Sequence, residues 1–523
     1  MFKKLLRYYH TLRHLKLIQI QYQLWYRLRD KLYPVRYPAD IKAPLFKKLV
    51  LQPFPSQHKH YLNENYFQFI NLKQNFKEVI DWNYLGHGKL WAYHLNYFDY
   101  LHQYEMSWKT GKKLIDEFLE QPENRIEGME PYPISLRNIN WIKFLVIHKQ
   151  YPRKIVDSIY AQYQVLSKKL EYHLLGNHLL ENGFSLLFGA VFFQDEKLTK
   201  LAHNILSKEL KEQILDDGAH FELSPMYHLI LLQRALDGFN ILKNNKHDLS
   251  DIQQQLKRVI QKMVNWLATV TFSNGDIPMF NDSTDGQALK SHSILNYAIK
   301  LGFKSQKTTL SDSGYRKFEF GDFEMVADVG EVGPGYQPGH AHSDTLSFVL
   351  YHKGDPVIVD RGISTYEKNE RRQLERSTAS HNTVMINDVE QTDVWGGFRV
   401  GKRSKPIIWD DSYSKLNASH TGYDNSNVRH NRKWQINENG VEIIDRLEGD
   451  KVDGIAYLHI HPSVSIKEVE KGIFNLNDNI LSFENFMEIQ KENYAYCLGF
   501  NKTELGDLIK VKFKKVLKTK IKE

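Results

Sequence analysis

Near residue 310 the hydrophobic period of this chain changes, and that change limits what it can fold into. From about residue 61 to 300, apolar residues recur at three- and four-residue steps in segments such as WAYHLNYFDYLHQYEMSW, NHLLENGFSLLFGAVFF and LILLQRALDGFNILKN. That is the period of amphipathic helices. Short breaks such as GHGK, YPRK and DDG separate them, so successive helices are predicted to return alongside one another in a bundle, solenoid or helical toroid. Beyond residue 310, segments such as KFEFGDFEMVADVG, DTLSFVLYHKGDPVIVDRG and WQINENGVEIIDRLEGD alternate with period two between turn signals KGDP, NENG and LNDN. Many short strands at this spacing predict a β-sandwich of roughly two hundred residues. The lysine-rich end, KVKFKKVLKTKIK, alternates as well and reads as a solvated edge strand guarded by its lysines.

At 523 residues the chain exceeds what one core serves. The boundaries predicted are a basic helical arm and connector over 1–60, a helical domain over 61–305 and a sandwich over 306–523. The connector is marked by Pro34, Pro38, Pro44, Pro53 and Pro55. The start, MFKKLLRYYHTLRHLK, has no apolar core or small-residue cleavage site of a signal peptide and reads as a basic amphipathic helix. No run is long enough to predict a transmembrane segment. The single cysteine, Cys497, excludes an intramolecular disulfide and cysteine-based zinc knuckles. A net charge of +8 favours an anionic partner, but no nucleic-acid-binding motif accompanies it, so no nucleic-acid partner is expected. The 29 Tyr, 28 Phe and 9 Trp suit a sugar-binding cleft as well as an ordinary core.

Four polar clusters interrupt this pattern. In Gly339-His340-Ala341-His342-Ser343-Asp344, alternate side chains of an extended segment would share a face. Imidazoles and carboxylates together suit a Zn²⁺ site or an acid/base site, and a histidine-rich surface turn is the alternative. Asn177-His178 opens an apolar helix, where Asn177 can cap the helix or donate to a carboxylate. Tyr227 follows a Ser-Pro break in DGAHFELSPMYH and can pack or donate a proton. Arg137, in PYPISLR, can bind a carboxylate or pair structurally.

Taken in order, GNHLLEN, DGAHFELSPMYH, GHAHSDTLSF, VDRG and RSTASHNTV resemble the heparinase II/III family of polysaccharide lyases across roughly residues 80 to 460. The resemblance implies an α+β chain in which an incomplete (α/α) toroid is followed by an antiparallel β-sandwich, with the cleft between them. It implies cleavage of a uronic-acid polysaccharide by β-elimination, a reaction that needs donors on the uronate carboxylate as charge develops there. By motif, Asn177 and His178 fall on the neutralising pair. Tyr227 falls on the tyrosine that protonates the leaving O4 and, for some stereochemistries, also abstracts the C5 proton, and His340 on the base or further neutraliser. A structural metal, commonly zinc, falls on His342, Asp360 and His381. A simple hairpin turning at Gly354-Asp355 would pair Asp360 with residue 349, so a local bend is needed to bring it to His342. Tyr366 resembles a second active-site tyrosine, and Arg371, Arg372 and Arg376 can bind substrate acid groups beside it or form salt bridges.

The partner implied is an acidic polysaccharide. A uronate C5-epimerase shares the proton-abstraction step, and a glycan-binding protein with a retired site is a third reading, opposed by retention of all four catalytic residues. The family implies the cell envelope or periplasm, while the missing signal peptide leaves the cytoplasm open. Nothing in the sequence sets the oligomeric state.

Overall fold

A computed structural model describes residues 2–121, 126–450 and 452–523. Its helices alternate between two rings. Lys89–Tyr97, Pro131–His148, Gly176–Phe193, Pro225–Asn244 and Ser291–Leu301 neighbour one another in turn, and form the inner ring. Trp108–Glu120, Arg153–Leu166, Glu196–Gln213 and Ser250–Val270 pack outside them. This is the layout of an incomplete (α/α) toroid, and the sequence pattern explains which helix goes where. Glu196–Gln213 keeps a polar face, whereas Gly176–Phe193 is apolar almost throughout and is buried at every residue except His178. A helix without a polar face must be enclosed.

The second half is antiparallel at every strand pairing. One sheet has eight strands, in the order 406–412, 415–420, 429–437, 440–448, 516–522, 479–484, 473–476 and 466–470. Two four-stranded sheets, one over 315–358 and one joining 384–386, 454–459, 488–499 and 502–513, meet through a bridge between Ile358 and Ile460. Phe348, Trp434, Ile509 and Leu517, drawn from all three sheets, share one core. This is the expected sandwich.

Two expectations need correction. The lysine-rich end is no edge: Val516–Lys522 lies inside the eight-stranded sheet, between 440–448 and 479–484. Its alternation buries Leu517, Thr519 and Ile521, while Lys518 and Lys520 meet Glu484 and Glu442 on the outer face. The region before the toroid also contains a small meander, Tyr61–Asn63, Tyr66–Phe69 and Leu72–Asn75, where only helix was predicted. Among the described residues no helix is long and apolar enough to cross a membrane.

Candidate active site

Three inner-ring helices begin at the cleft. Tyr132 stands at the start of one, Asn177 and His178 at the start of the second, and Tyr227 at the start of the third. Helix N-termini carry unpaired N–H groups and partial positive charge, so a cleft built on them favours an anion. Ser224 caps the third helix by accepting the Tyr227 N–H, and its hydroxyl donates to the Asp282 carbonyl. The sandwich side is thereby keyed to the toroid, because Asp282 N–H in turn donates to the His340 carbonyl.

The expected catalytic residues do meet. The rings of Tyr227 and His340 lie 4.1 Å apart, and the Tyr227 hydroxyl is 3.2 Å from that of Tyr366. His340 Nε2 is 3.8 Å from Glu222 Oε2, and Glu222 is held by Asn177, whose Nδ2 lies 3.1 and 2.9 Å from its two oxygens. The oxygens of one carboxylate subtend a far smaller angle at nitrogen than the two amide hydrogens do. One N–H is therefore shared between them, and the second remains for a ligand. His178 Nδ1 donates to Glu171 at 2.9 Å, its ring against Tyr132, with its side chain partly open to the cleft.

Backbone strain clusters here. Leu175 and Leu223, both buried, adopt φ of 61° and 56°, a region leucine rarely occupies. They flank Asn177 and Glu222. Gly176, at φ 58°, leaves room that a Cβ would lose, since that atom would come within 2.7 Å of Glu222 Oε1.

The electrostatics separate the roles. Burial, with Asp282 and Glu222 adding, raises the Tyr227 hydroxyl above its ordinary range, against a lowering hydrogen bond from Tyr366. The phenol therefore stays protonated. Burial alone would lower His178, but the Glu171 carboxylate, with Glu222 and Glu181 behind it, overcomes this and raises its pKa. Glu222 is lowered despite its burial by His220, His340 and the Asn177 donors, so it is ionised.

Asp282 is the residue that sequence reasoning missed. Its Oδ2 lies 2.8 Å from His340 Nδ1 and its Oδ1 2.8 Å from His342 Nε2. Arg372 clamps both oxygens, at 2.5 and 2.7 Å. Burial opposes the charge, but Arg372 and the two histidines hold the Asp282 carboxyl well below the usual range. With its Nδ1–H donated to Asp282, a neutral His340 carries its lone pair on Nε2.

Arg137 and Arg376 are corrections. Arg137 is fully buried in the toroid, donating to Gln162, the Asn96 carbonyl and the Gly128 carbonyl and lying over Phe118. Arg376 is fully buried too, donating to the backbone carbonyls of Ala341 and Gly397. A guanidinium spent on buried carbonyls cannot meet a substrate; Arg376 fixes the turn between His340 and His342 instead. Tyr366 does face the site, with Arg372 over its ring at 5.0 Å.

Beside this site, one ligand atom from each of His342, Asp344 and His381 lies within 4.8 Å of the others. His342 Nδ1, Asp344 Oδ2 and His381 Nε2 are buried without a protein partner. Each histidine's other nitrogen is met by a carboxylate, Asp282 for His342 and Asp360 for His381. That arrangement orients imidazoles toward a metal. Burial raises Asp344 to about 6, with His381 opposing the rise and Asp360 adding to it. The residues therefore fit a divalent ion. Asp360 differs from its expected place as a ligand, because its oxygens are taken by His381 Nδ1 at 2.7 Å and the Gly362 N–H at 3.0 Å. The strand does bend: a bulge between Leu350 and Tyr351 shifts the hairpin register, Val359 N–H leaves it for the His459 carbonyl, and Asp360 meets His381.

Residues 141–308 match the Heparinase II/III N-terminus family model, and residues 304–522 match Heparinase II/III-like, C-terminal. The chain belongs to the heparinase II/III family. A heparin-sulfate lyase of Pedobacter heparinus is 23% identical over 502 residues, covering 84% of this chain and 72% of the relative. Another, from Bacteroides stercoris, is 26% identical over 255 residues, covering 42% of this chain and 37% of that protein. Among solved structures, heparinase III aligns with a TM-score of 0.66 at 15% identity, covering 96% of this chain and 91% of that one. A heparan sulfate lyase from Pedobacter heparinus aligns at 0.55 and 16% identity, covering 88% and 81%. Both share the fold of this family member.

Proposed function

We propose that this chain is a polysaccharide lyase that cleaves a uronic-acid-containing anionic polysaccharide by β-elimination. The observation that carries the reading is the close placement of Tyr227 and His340, with ring centres 4.1 Å apart, beside the Asn177–His178 helix start. The uronate carboxylate would sit against the second Asn177 N–H and a cationic His178, which stabilise the charge that develops as C5 loses its proton. His340 Nε2 takes that proton. The C5–H electrons form the C4=C5 double bond as C4–O4 breaks, and the Tyr227 hydroxyl gives its proton to O4. A phenol held above its ordinary pKa suits donation better than abstraction. Incubation with a panel of acidic polysaccharides, read by ultraviolet absorbance of the unsaturated uronate, tests the reading. No absorbance from any polymer, with the fold intact, would contradict it.

The role given to His178 has a pH consequence. Its folded pKa is raised by Glu171, so the imidazolium persists to higher pH than an ordinary histidine and is lost as pH rises through that value. In Glu171→Gln the burial remains without the carboxylate, and the high-pH limb of kcat/KM should move to lower pH. An unmoved limb would remove His178 from the neutralising pair.

The metal proposed is zinc, held by His342, Asp344 and His381, with Asp360 fixing the His381 ring. When bound it supplies structural bracing and charge balance behind His340. His342→Ala should lose stoichiometric metal by elemental analysis and lower the unfolding midpoint. Asp360→Asn should weaken metal affinity by roughly 10–100-fold, as loss of a carboxylate behind a ligating histidine does. Retention of full metal by His342→Ala would refute the site.

A further inference from the structure

The helix Leu17–Leu32 is packed with its polar side inward. Gln19, Tyr22, Tyr26 and Arg29, at three- and four-residue steps, face the body. Gln19 donates to the Leu174 carbonyl, Tyr22 stacks on Tyr172 at 4.7 Å, and Tyr26 and Arg29 donate to the carbonyls of Leu170 and Lys168. The other face offers Leu17, Ile20, Leu24, Trp25, Leu28 and Leu32 to solvent, with Leu24 62% and Leu28 53% exposed. The preceding helix, Phe2–Leu12, repeats the arrangement. Arg7, Tyr8 and Thr11 hold Asp393 and Trp395 of the sandwich, while Leu5, Tyr9 and Leu12 point outward. The arm thus straps both halves of the molecule and leaves large apolar side chains of both helices uncovered. A soluble surface rarely leaves so many large apolar side chains on one helix face.

The charge around these side chains identifies what would cover them. Residues 3–36 carry nine Lys and Arg against one acid, Asp30, which is paired with Arg29. Arg13, Arg27 and Lys31 are exposed beside the leucines, together with the aromatic Trp25 and Tyr33. A second copy of this chain would oppose like charges across the face. An anionic lipid surface supplies apolar depth and negative headgroups at once, and basic helices with Leu and Trp on one face lie in that interface. We propose that the helical pair 2–32 docks this enzyme on an anionic bilayer surface, with Leu17–Leu32 lying in the plane of the membrane. The helix reaches the loop at Leu170–Leu174, directly before Asn177, so docking would hold the cleft at a fixed distance from the lipid.

The test is flotation of the full chain with vesicles of phosphatidylcholine, with and without a third of phosphatidylglycerol. Co-flotation with the anionic vesicles alone, reversed by salt, is expected. The double variant Leu24→Ser/Leu28→Ser, altered only at exposed positions, should partition roughly 10–100-fold more weakly, from the apolar burial lost at two leucines. Its turnover of a soluble oligosaccharide should be unchanged. Equal flotation with both vesicle types, wild-type binding by the double variant, or a stoichiometric dimer abolished by the same two substitutions would each overturn the proposal.

Discussion

Tyr227→Phe should abolish turnover while leaving the fold and substrate binding intact. The substitution removes one oxygen from a ring that packs on His340, and the ring itself remains. Without that hydroxyl O4 must leave unprotonated, and general acid groups typically contribute about 10²–10⁴-fold. The loss should appear in kcat, with KM little changed. The partner hydroxyl of Tyr366, 3.2 Å away, offers an internal comparison. Tyr366→Phe should cost less, because it removes a neighbour of the acid and not the acid. A Tyr227→Phe enzyme with near-normal kcat, or a Tyr366→Phe enzyme that is the more damaged of the two, would move the acid elsewhere.

Asp282→Asn should damage stability and catalysis together. The Arg372 guanidinium is 1% exposed and meets both Asp282 oxygens, so the amide leaves a buried cation without its counter-ion. Breaking a buried pair from one side costs about 3–5 kcal/mol. An amide also places N–H₂ where Arg372, His340 and His342 together require an acceptor. The histidine ring then loses the contact that leaves Nε2 free, and kcat should fall by roughly 10²-fold or more even where the protein is fully folded. Denaturant unfolding measures the first effect, and kcat well below the unfolding transition measures the second. A folded Asp282→Asn enzyme with unchanged kcat would reduce Asp282 to a structural ion pair.

How much of this was legible in the sequence depends on the range of each interaction. The period change near residue 310 and the alternation HAHSD are local, so they survive in the string of residues. Asn177, His178 and Tyr227 are legible as helix starts marked by a break, and it is the resemblance of their motifs to the family that points them at the site. Asp282 could not. It lies 58 residues before His340, in an irregular stretch with no periodicity, and only the packing of loop on loop brings them together. Glu222 lies inside DGAHFELSPMYH, yet nothing local shows that it turns onto Asn177. Arg137 and Arg376 failed for the opposite reason. An arginine near a motif reads as a ligand for acid groups, and only burial reveals that backbone carbonyls already use its donors. The final strand shows the same limit in a sheet: its alternation was readable, but the strands on either side of it were not, because pairing partners are set far along the chain.

The proposed elimination requires the proton to leave C5 as O4 leaves C4. Reaction of a cleaved polymer in deuterium oxide, followed by nuclear magnetic resonance of the products, observes both events. Elimination gives shortened chains whose new non-reducing ends carry a C4=C5 double bond and no C5 hydrogen. Chains of unchanged length with deuterium at C5 and inverted configuration would contradict it, and would make the same cleft that of an epimerase.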